Sequence, residues 1–220
     1  MQSIRLTDIE RRSWRAMQQD GLMDILFGFL LLGACVSALV GLLNPQDWIR
    51  IATLSSIQFG GVLFMLWARR KYVTPRTGIA KFSMQRVQRA RTLRIVLIVC
   101  VAVTILLVAL TTLSTRLGFR LFGDANAWSA WGVISAVILI PIGALAYFRD
   151  YPRLLLHGSL FVIAEFFLIV MGLEDTTAYA PALLFGTGSA ISFSIGIPIF
   201  ARFLKRVPPA ELETEGASHD

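Results

Sequence analysis

Apolar stretches of about twenty residues recur along the chain and are separated by short polar connections. Helices of this length cross the roughly 30 Å hydrocarbon layer of a bilayer. Six stretches qualify: Ile25–Leu43, Trp48–Ala68, Ile95–Leu113, Trp128–Phe148, Leu154–Leu173 and Pro181–Ala201. They are continuously apolar and lack the alternation of barrel strands. Since only helices and closed barrels satisfy backbone groups in lipid, the pattern predicts an all-α membrane protein, a six-transmembrane-helix bundle.

The basic residues are distributed unevenly between the connections. The N-terminal segment, the second and fourth connections and the C-terminal segment together carry eighteen Lys and Arg residues, whereas the first, third and fifth connections carry three. Because cytoplasmic segments carry the excess of Lys and Arg, both termini are predicted to be cytoplasmic. Aromatic residues near the predicted span ends agree with interfacial belts: Trp48, Trp128, Trp131 and Tyr179 outside, and Trp67, Tyr72, Tyr147 and Tyr151 inside.

The composition agrees with lipid as the solvent. Hydrophobic residues make up 55% of the chain and charged residues 16%, whereas soluble domains carry about a quarter charged residues. The net charge of +7 lies in the connections, which favours anionic headgroups as partners over nucleic acid. The predicted domains are a cytoplasmic N-terminal helix (1–20), a membrane domain (21–204) and a disordered cytoplasmic tail (205–220).

The second connection, residues 69–94, is the most basic part of the chain. Thr74 suits an N-cap and Pro75 the first helical position, so a helix is predicted to begin there. The candidate contacts to anionic lipid in this connection are Arg69, Arg70, Lys71, Arg76 and Lys81. A phosphate- or nucleotide-binding surface is the alternative interpretation, although no glycine-rich phosphate loop accompanies it.

Two carboxylates, Asp20 and Asp24, open the first span. Acidic residues in a first turn stabilise the positive end of a helix dipole, which is one interpretation of the pair. The other is that they face the basic connection and help to shape a cytoplasmic site.

Asp20-Gly21-Leu22 at the start of the first span and Thr74-Pro75-Arg76 with Gly78 after the second carry a resemblance. The chain resembles a group of small uncharacterised bacterial multi-pass inner-membrane proteins with an Asp-Gly-Leu start and a Pro-Arg-x-Gly turn. Ile79 stands where that group has an aromatic residue. The resemblance implies an inner-membrane location and no particular activity.

One ionisable residue, Glu165, lies near the middle of a predicted span. Gly158 and Gly172 are predicted to share its helix face, which turns the acid into the bundle. The polar residues at similar depth are uncharged: Gln58, Thr104, Ser189 and Ser192. Glu165 is therefore interpreted either as a protonated donor in a structural hydrogen bond or as a proton carrier or cation ligand. His157, near the inner end of the same helix, is predicted to be interfacial.

The remaining chemistry is sparse. Cys35 and Cys100 are interpreted as small hydrophobic residues. Gly188, Ser192 and Gly196 are predicted to form a seam of small residues for close helix contact. No catalytic motif, metal site or cofactor site is recognised. The sequence favours a non-catalytic scaffold or accessory membrane component, with a protein partner or a second copy as candidate partners. A small-solute or ion transporter that uses Glu165 is the alternative.

Overall fold

The computed structural model describes residues 20–43, 46–77, 84–116, 126–173 and 178–206. Lys81, the predicted N-terminal helix up to residue 19 and the predicted tail from residue 207 lie outside this part of the chain. Lys205 and Arg206, which were predicted to begin the disordered tail, instead end the last helix. The described residues form six long helices, which we label in chain order: α1 (Leu22–Leu43), α2 (Asp47–Ala68), α3 (Met84–Arg116), α4 (Ala127–Arg149), α5 (Arg153–Ile169) and α6 (Ala180–Arg206). The predicted all-α class is confirmed.

Within the described ranges, four segments are long and apolar enough to cross a membrane: Leu22–Leu43, Asp47–Arg76, Ala127–Arg149 and Ala180–Arg206. The predicted third span lies inside α3. Helix α5 has 17 residues, about 25 Å at 1.5 Å per residue, because it ends at Ile169 before the predicted end at Leu173. Gly172 lies beyond the helix with a positive φ of 66°, so the prediction that it shares the face of Glu165 is wrong.

Helix α2 does not stop at its apolar end. A π-helical turn, Arg69–Val73, and one α-helical turn, Thr74–Thr77, continue it. The predicted N-cap at Thr74 is therefore wrong. Pro75 lacks an N–H and its ring clashes with the carbonyl four residues earlier in an α-helix. The wider π-turn accommodates it, and the Thr74 N–H instead reaches the Arg69 carbonyl, five residues back.

The chain divides into two compact units. The first contains α1, α2, the π-turn and the part of α6 from Phe185 onwards. Its buried core at one end comprises Leu22, Ile25, Ala68 and Val73, packed by the rings of Phe29, Phe64, Tyr72, Phe193, Phe200 and Phe203. These apolar residues come from segments far apart in the sequence, so the core closes α1, α2 and α6 on one another.

The second unit contains α3, α4 and α5. Asp150 takes the left-handed conformation (φ 53°) that ends α4, and the Tyr151 N–H donates to the Ala146 carbonyl at 2.9 Å. Tyr151 is buried against protein, and its predicted depth at the inner interface stays a prediction. Gly158 of α5 lies against Ile142 of α4, where a Cβ would approach within 3.1 Å. The tight turn and this contact hold α4 and α5 side by side.

Candidate functional site

Asp20 caps the start of α1. Its Oδ1 accepts a hydrogen bond of 3.0 Å from the Leu22 N–H, one of the first-turn donors that have no partner within the helix. Asp24 stands in the first turn, where the helix dipole favours a negative charge. Both side chains are buried, with exposures of 5% and 0%. The capping interpretation accounts for their position along the chain, and their burial comes from tertiary packing.

The packing partner of this helix start is α6. A Cβ at Gly21 would lie 2.6 Å from the Gly196 carbonyl oxygen, and a Cβ at Gly196 would lie 2.8 Å from the Ile25 nitrogen and 3.0 Å from the Asp24 Cβ. Gly21 also has a φ of 76°, which side-chain-bearing residues rarely adopt. The two backbones touch here because neither glycine carries a side chain.

The same seam continues along α6. The Ser189 hydroxyl donates to the Gly28 carbonyl of α1 at 2.9 Å, and Ser189 and Ser192 are both buried. A Cβ at Gly28 would meet the Phe193 ring at 2.9 Å. The predicted close helix contact is confirmed at Gly196, which lies against α1; for Gly188 and Ser192 it stays a prediction.

Burial changes the chemistry of Asp20, which lies before the first span. Desolvation raises the pKa of Asp20 from 3.8 to about 6. Its hydrogen bond from Leu22 and the positive charge of Arg69 oppose this rise in pKa, and the neighbouring Asp24 adds to it. Asp20 and Arg69 thus interact electrostatically, as expected if the acids face the basic connection. The result is a carboxyl group that titrates near neutral pH.

The basic residues after α2 have different surroundings. Arg69, Arg70 and Lys71 are exposed. The Lys71 Nζ lies 5.2 Å from the Trp67 ring centroid and 5.6 Å from that of Tyr72. Arg76 is half-buried and donates from Nη1 to the Tyr72 carbonyl at 2.9 Å. Of the predicted lipid contacts, Arg69, Arg70 and Lys71 therefore present exposed charges, while Arg76 supports the backbone.

The predicted mid-span polar residues are divided between the two units. Gln58 and Ser192 belong to the first unit, and Thr104 and Glu165 to the second. The Gln58 Cγ lies 3.2 Å from the Cβ position of Gly33, so Gln58 packs on α1. Ser192 donates to Gly188 at 3.0 Å and Thr104 to Cys100 at 2.9 Å, each within its own helix. Glu165 is half-buried on α5.

Three aromatic side chains form a cluster that includes Phe166, the residue that follows Glu165 in the sequence. The rings of Trp128, Trp131 and Phe166 are mutually tilted at centroid distances of 5.4–6.2 Å. The Trp131 indole N–H donates to the Val162 carbonyl of α5 at 3.2 Å. Edge-to-face contacts of this kind stabilise helix pairs, so this end of α4 and α5 is joined by ring packing and one hydrogen bond.

Two buried polar residues of the second unit were not predicted from sequence. His157 is 1% exposed, so protein surrounds it, while its interfacial depth stays a prediction. Ser135 of α4 is 8% exposed, and its hydroxyl has no hydrogen-bond partner among the described residues. Ser135 lies eight positions into the predicted fourth span, so its depth could have been noticed. Whether the Ser135 hydroxyl finds a hydrogen-bond partner depends on which side chains of other helices pack against it, and the sequence does not give these neighbours.

Comparison with models of known protein families, with curated proteins and with solved structures found no match to this chain. Among the described residues, no group of three or more His, Cys, Asp or Glu side chains could hold a metal ion.

Proposed function

We propose that the chain is a six-span protein of the bacterial inner membrane, with both termini in the cytoplasm, that serves as a non-catalytic scaffold or accessory component. Four helical segments have the length and composition of membrane spans. The other two proposed spans rest on sequence: Ile95–Leu113 falls inside α3 and most of Leu154–Leu173 inside α5. The distribution of basic residues supports the orientation.

The outward-facing side chains support lipid as the solvent. Large apolar residues of both units are more than half exposed, among them Ile51, Phe59, Ile105, Ile140 and Leu183. Apolar helices whose large side chains point out of the protein are expected where lipid surrounds them. Trp48, Trp67, Trp128, Tyr147 and Tyr179 are also exposed, as side chains of an interfacial belt would be. Membrane lipids are thus the first proposed partners, and a protein partner or a second copy the next.

The observation that carries the scaffold proposal is the use of the mid-span hydroxyl groups. Thr104, Ser189 and Ser192 each donate to a main-chain carbonyl. A transport site replaces the hydration of its solute with converging polar groups. Hydroxyl hydrogens that already bond to helix carbonyls are not available to a solute. Ser189 therefore supports the packing of α6 on α1, and Thr104 and Ser192 donate within their own helices, so none of the three has a donor left for a solute.

A transporter that uses Glu165 is the second candidate. An acid inside a membrane span is expensive and is by default a candidate functional residue. The second unit also contains Ser135, a buried hydroxyl without a described hydrogen-bond partner. Glu165 and Ser135 could offer polar groups to a solute that crosses the second unit, whereas the hydroxyls of Thr104, Ser189 and Ser192 already donate to helix carbonyls.

Proteoliposomes decide between the two candidates. We would incorporate the purified native chain and Glu165→Gln into vesicles that contain a pH-sensitive dye, and impose proton and sodium gradients across the membrane. The scaffold proposal expects both proteins to match the leak of protein-free vesicles. Flux through the native chain that Glu165→Gln abolishes, with unchanged gel-filtration behaviour of the variant, would overturn the scaffold in favour of the transporter.

A further inference from the structure

Consecutive basic residues follow an exposed apolar face at the end of α2. Leu63, Leu66 and Trp67 are about half exposed, and the exposed Arg69, Arg70 and Lys71 come next. Along this helix, apolar surface therefore gives way to positive charge within one turn. A phospholipid with a net negative charge has the complementary order, acyl chain followed by phosphate.

The aromatic rings fix the level of one of these charges. Lys71 places its ammonium group against Trp67 and Tyr72, whose rings are nearly perpendicular at 5.5 Å between centroids. Trp side chains concentrate at the headgroup level of membranes, and a cation over a ring is attracted to its negative face. The contact therefore holds the Lys71 charge at the level of Trp67.

The π-turn holds the backbone of the basic residues in one conformation. The Thr74 N–H and the Thr74 hydroxyl both donate to the Arg69 carbonyl, the latter at 3.0 Å. The Arg76 guanidinium donates to the Tyr72 carbonyl at 2.9 Å. Binding to preformed groups loses less conformational entropy than binding to a flexible segment. Single π-turns within α-helices also occur frequently at functional sites.

The three basic residues of the π-turn are not equally available to bind an anion. Arg69 interacts electrostatically with the buried Asp20, so part of its charge is compensated. Arg70 and Lys71 are exposed and follow Trp67 by three and four residues in the chain. An arginine guanidinium matches phosphate oxygens bidentately, and a lysine ammonium adds a compact charge. Arg70 and Lys71 are thus the pair that suits an anion from the lipid phase.

We propose that the π-turn is a binding site for the phosphate of an anionic phospholipid, with Arg70 and Lys71 as the main contacts, Arg69 beside them and Trp67 against the adjoining acyl chain. The site deepens the proposed function, on which it rests for placing α2 in a membrane. It differs from a general basic anchor because it requires a particular turn and a particular aromatic neighbour.

The test measures lipid retention by native mass spectrometry of the purified full chain in detergent. Phosphatidylglycerol and phosphatidylcholine of identical acyl chains are titrated against the native chain, Arg70→Gln/Lys71→Gln, and the control Lys205→Gln/Arg206→Gln. The control removes one Lys and one Arg that are also exposed at a helix end of the same unit. Charge-assisted hydrogen bonds to phosphate are stronger than diffuse attraction to a charged surface, so losing the contacting pair should weaken phosphatidylglycerol binding at least about tenfold.

We expect this tenfold loss for Arg70→Gln/Lys71→Gln, a loss under about threefold for the control, and weaker binding of phosphatidylcholine to the native chain. Trp67→Leu keeps every charge and should still weaken phosphatidylglycerol binding several-fold, because Lys71 loses its support. Equal losses for the two double variants, or equal binding of the two lipids, would overturn the site. Such a result leaves the proposed topology intact, whereas flux through the native chain overturns the scaffold and leaves the lipid site intact.

Discussion

The two units use polar groups in contrasting ways. In the first unit, Asp20 caps α1 inside a buried contact with α6, and Ser189 crosses from α6 to the Gly28 carbonyl of α1. In the second unit, aromatic rings, one hydrogen bond from the Trp131 indole and apolar side chains on Gly158 join α4 to α5, while the hydroxyl of Ser135 is buried without a described partner. The comparison shows that a buried hydroxyl can either bond across a helix contact, as in Ser189, or be buried without a described partner, as in Ser135.

The difference has a physical origin in glycine placement. Gly21 and Gly196 bring two backbones into contact, so carbonyl groups and short hydroxyl side chains reach across between helices. In the second unit Gly132 and Gly143 face open space, and no such approach follows from them. Close backbone contact therefore makes a hydrogen-bonded seam possible in the first unit.

The largest expected effect comes from filling the contact at the start of α1. Gly21→Ala forces a left-handed conformation on a residue with a Cβ and drives that Cβ into the Gly196 carbonyl, which should cost about 3 kcal/mol. Gly132→Ala in α4 should be neutral or stabilising by up to about 1 kcal/mol. Unfolding by SDS in mixed micelles measures both variants. Similar losses at the two positions would remove the distinction between the units.

The next effect is a pH dependence that comes from Asp20. Its pKa is about 6 in the folded chain and near 3.8 when unfolded, so the folded state holds the extra proton between these values. The free energy of unfolding should therefore fall as pH rises from about 4 to 6 and level off above pH 6. This contribution should make the chain about 2 kcal/mol more stable at pH 4.5 than at pH 8.

Asp20→Asn isolates that contribution, because the amide oxygen can still accept the Leu22 N–H. We expect the variant to lose most of the pH dependence and to equal or exceed the native chain in stability at pH 8. Unfolding curves at both pH values measure this. An unchanged slope in Asp20→Asn would show that the titration belongs to another group.

The smallest effects should differ in sign between the units. Ser189→Ala removes the bond to Gly28 and should cost about 0.6 kcal/mol, a typical value for a hydrogen bond between membrane helices. Ser135→Ala removes a buried hydroxyl that has no described partner and should stabilise by up to about 1 kcal/mol. Ser194→Ala is the control, since this exposed hydroxyl bonds within its own helix. A destabilised Ser135→Ala would show that Ser135 has a role in the second unit.

Apolar runs predicted most of the helical architecture because a continuous run of twenty apolar residues has few other structures available in lipid. The observed bounds of α1, α2 and α4 lie within three residues of the predicted spans. The predicted N-cap at Thr74 was wrong because Pro75 can be accommodated in two ways, by a new helix or by a π-turn. The choice depends on how α2 packs at Ala68 and Val73, which are buried.

The site was harder to predict. The position of Asp20 before an apolar run indicated a cap, but its burial depends on Gly196, which lies far away in the sequence. The role of Ser189 likewise needed the location of Gly28. The grouping of Glu165 with Gln58, Thr104 and Ser192 was based on depth along separate spans. Depth alone does not assign residues to one unit, and the structure divides these four equally between two.

The six-span topology is tested most directly at the two connections where six spans and four spans disagree. Alkaline phosphatase, which is active only outside the cytoplasm, would be fused after Gly123 and, in a second chain, after Pro152. Six spans predict an active enzyme after Gly123 and an inactive one after Pro152. The reverse pattern, inactive after Gly123 and active after Pro152, would mean that α3 and α5 do not cross the membrane and would contradict the account.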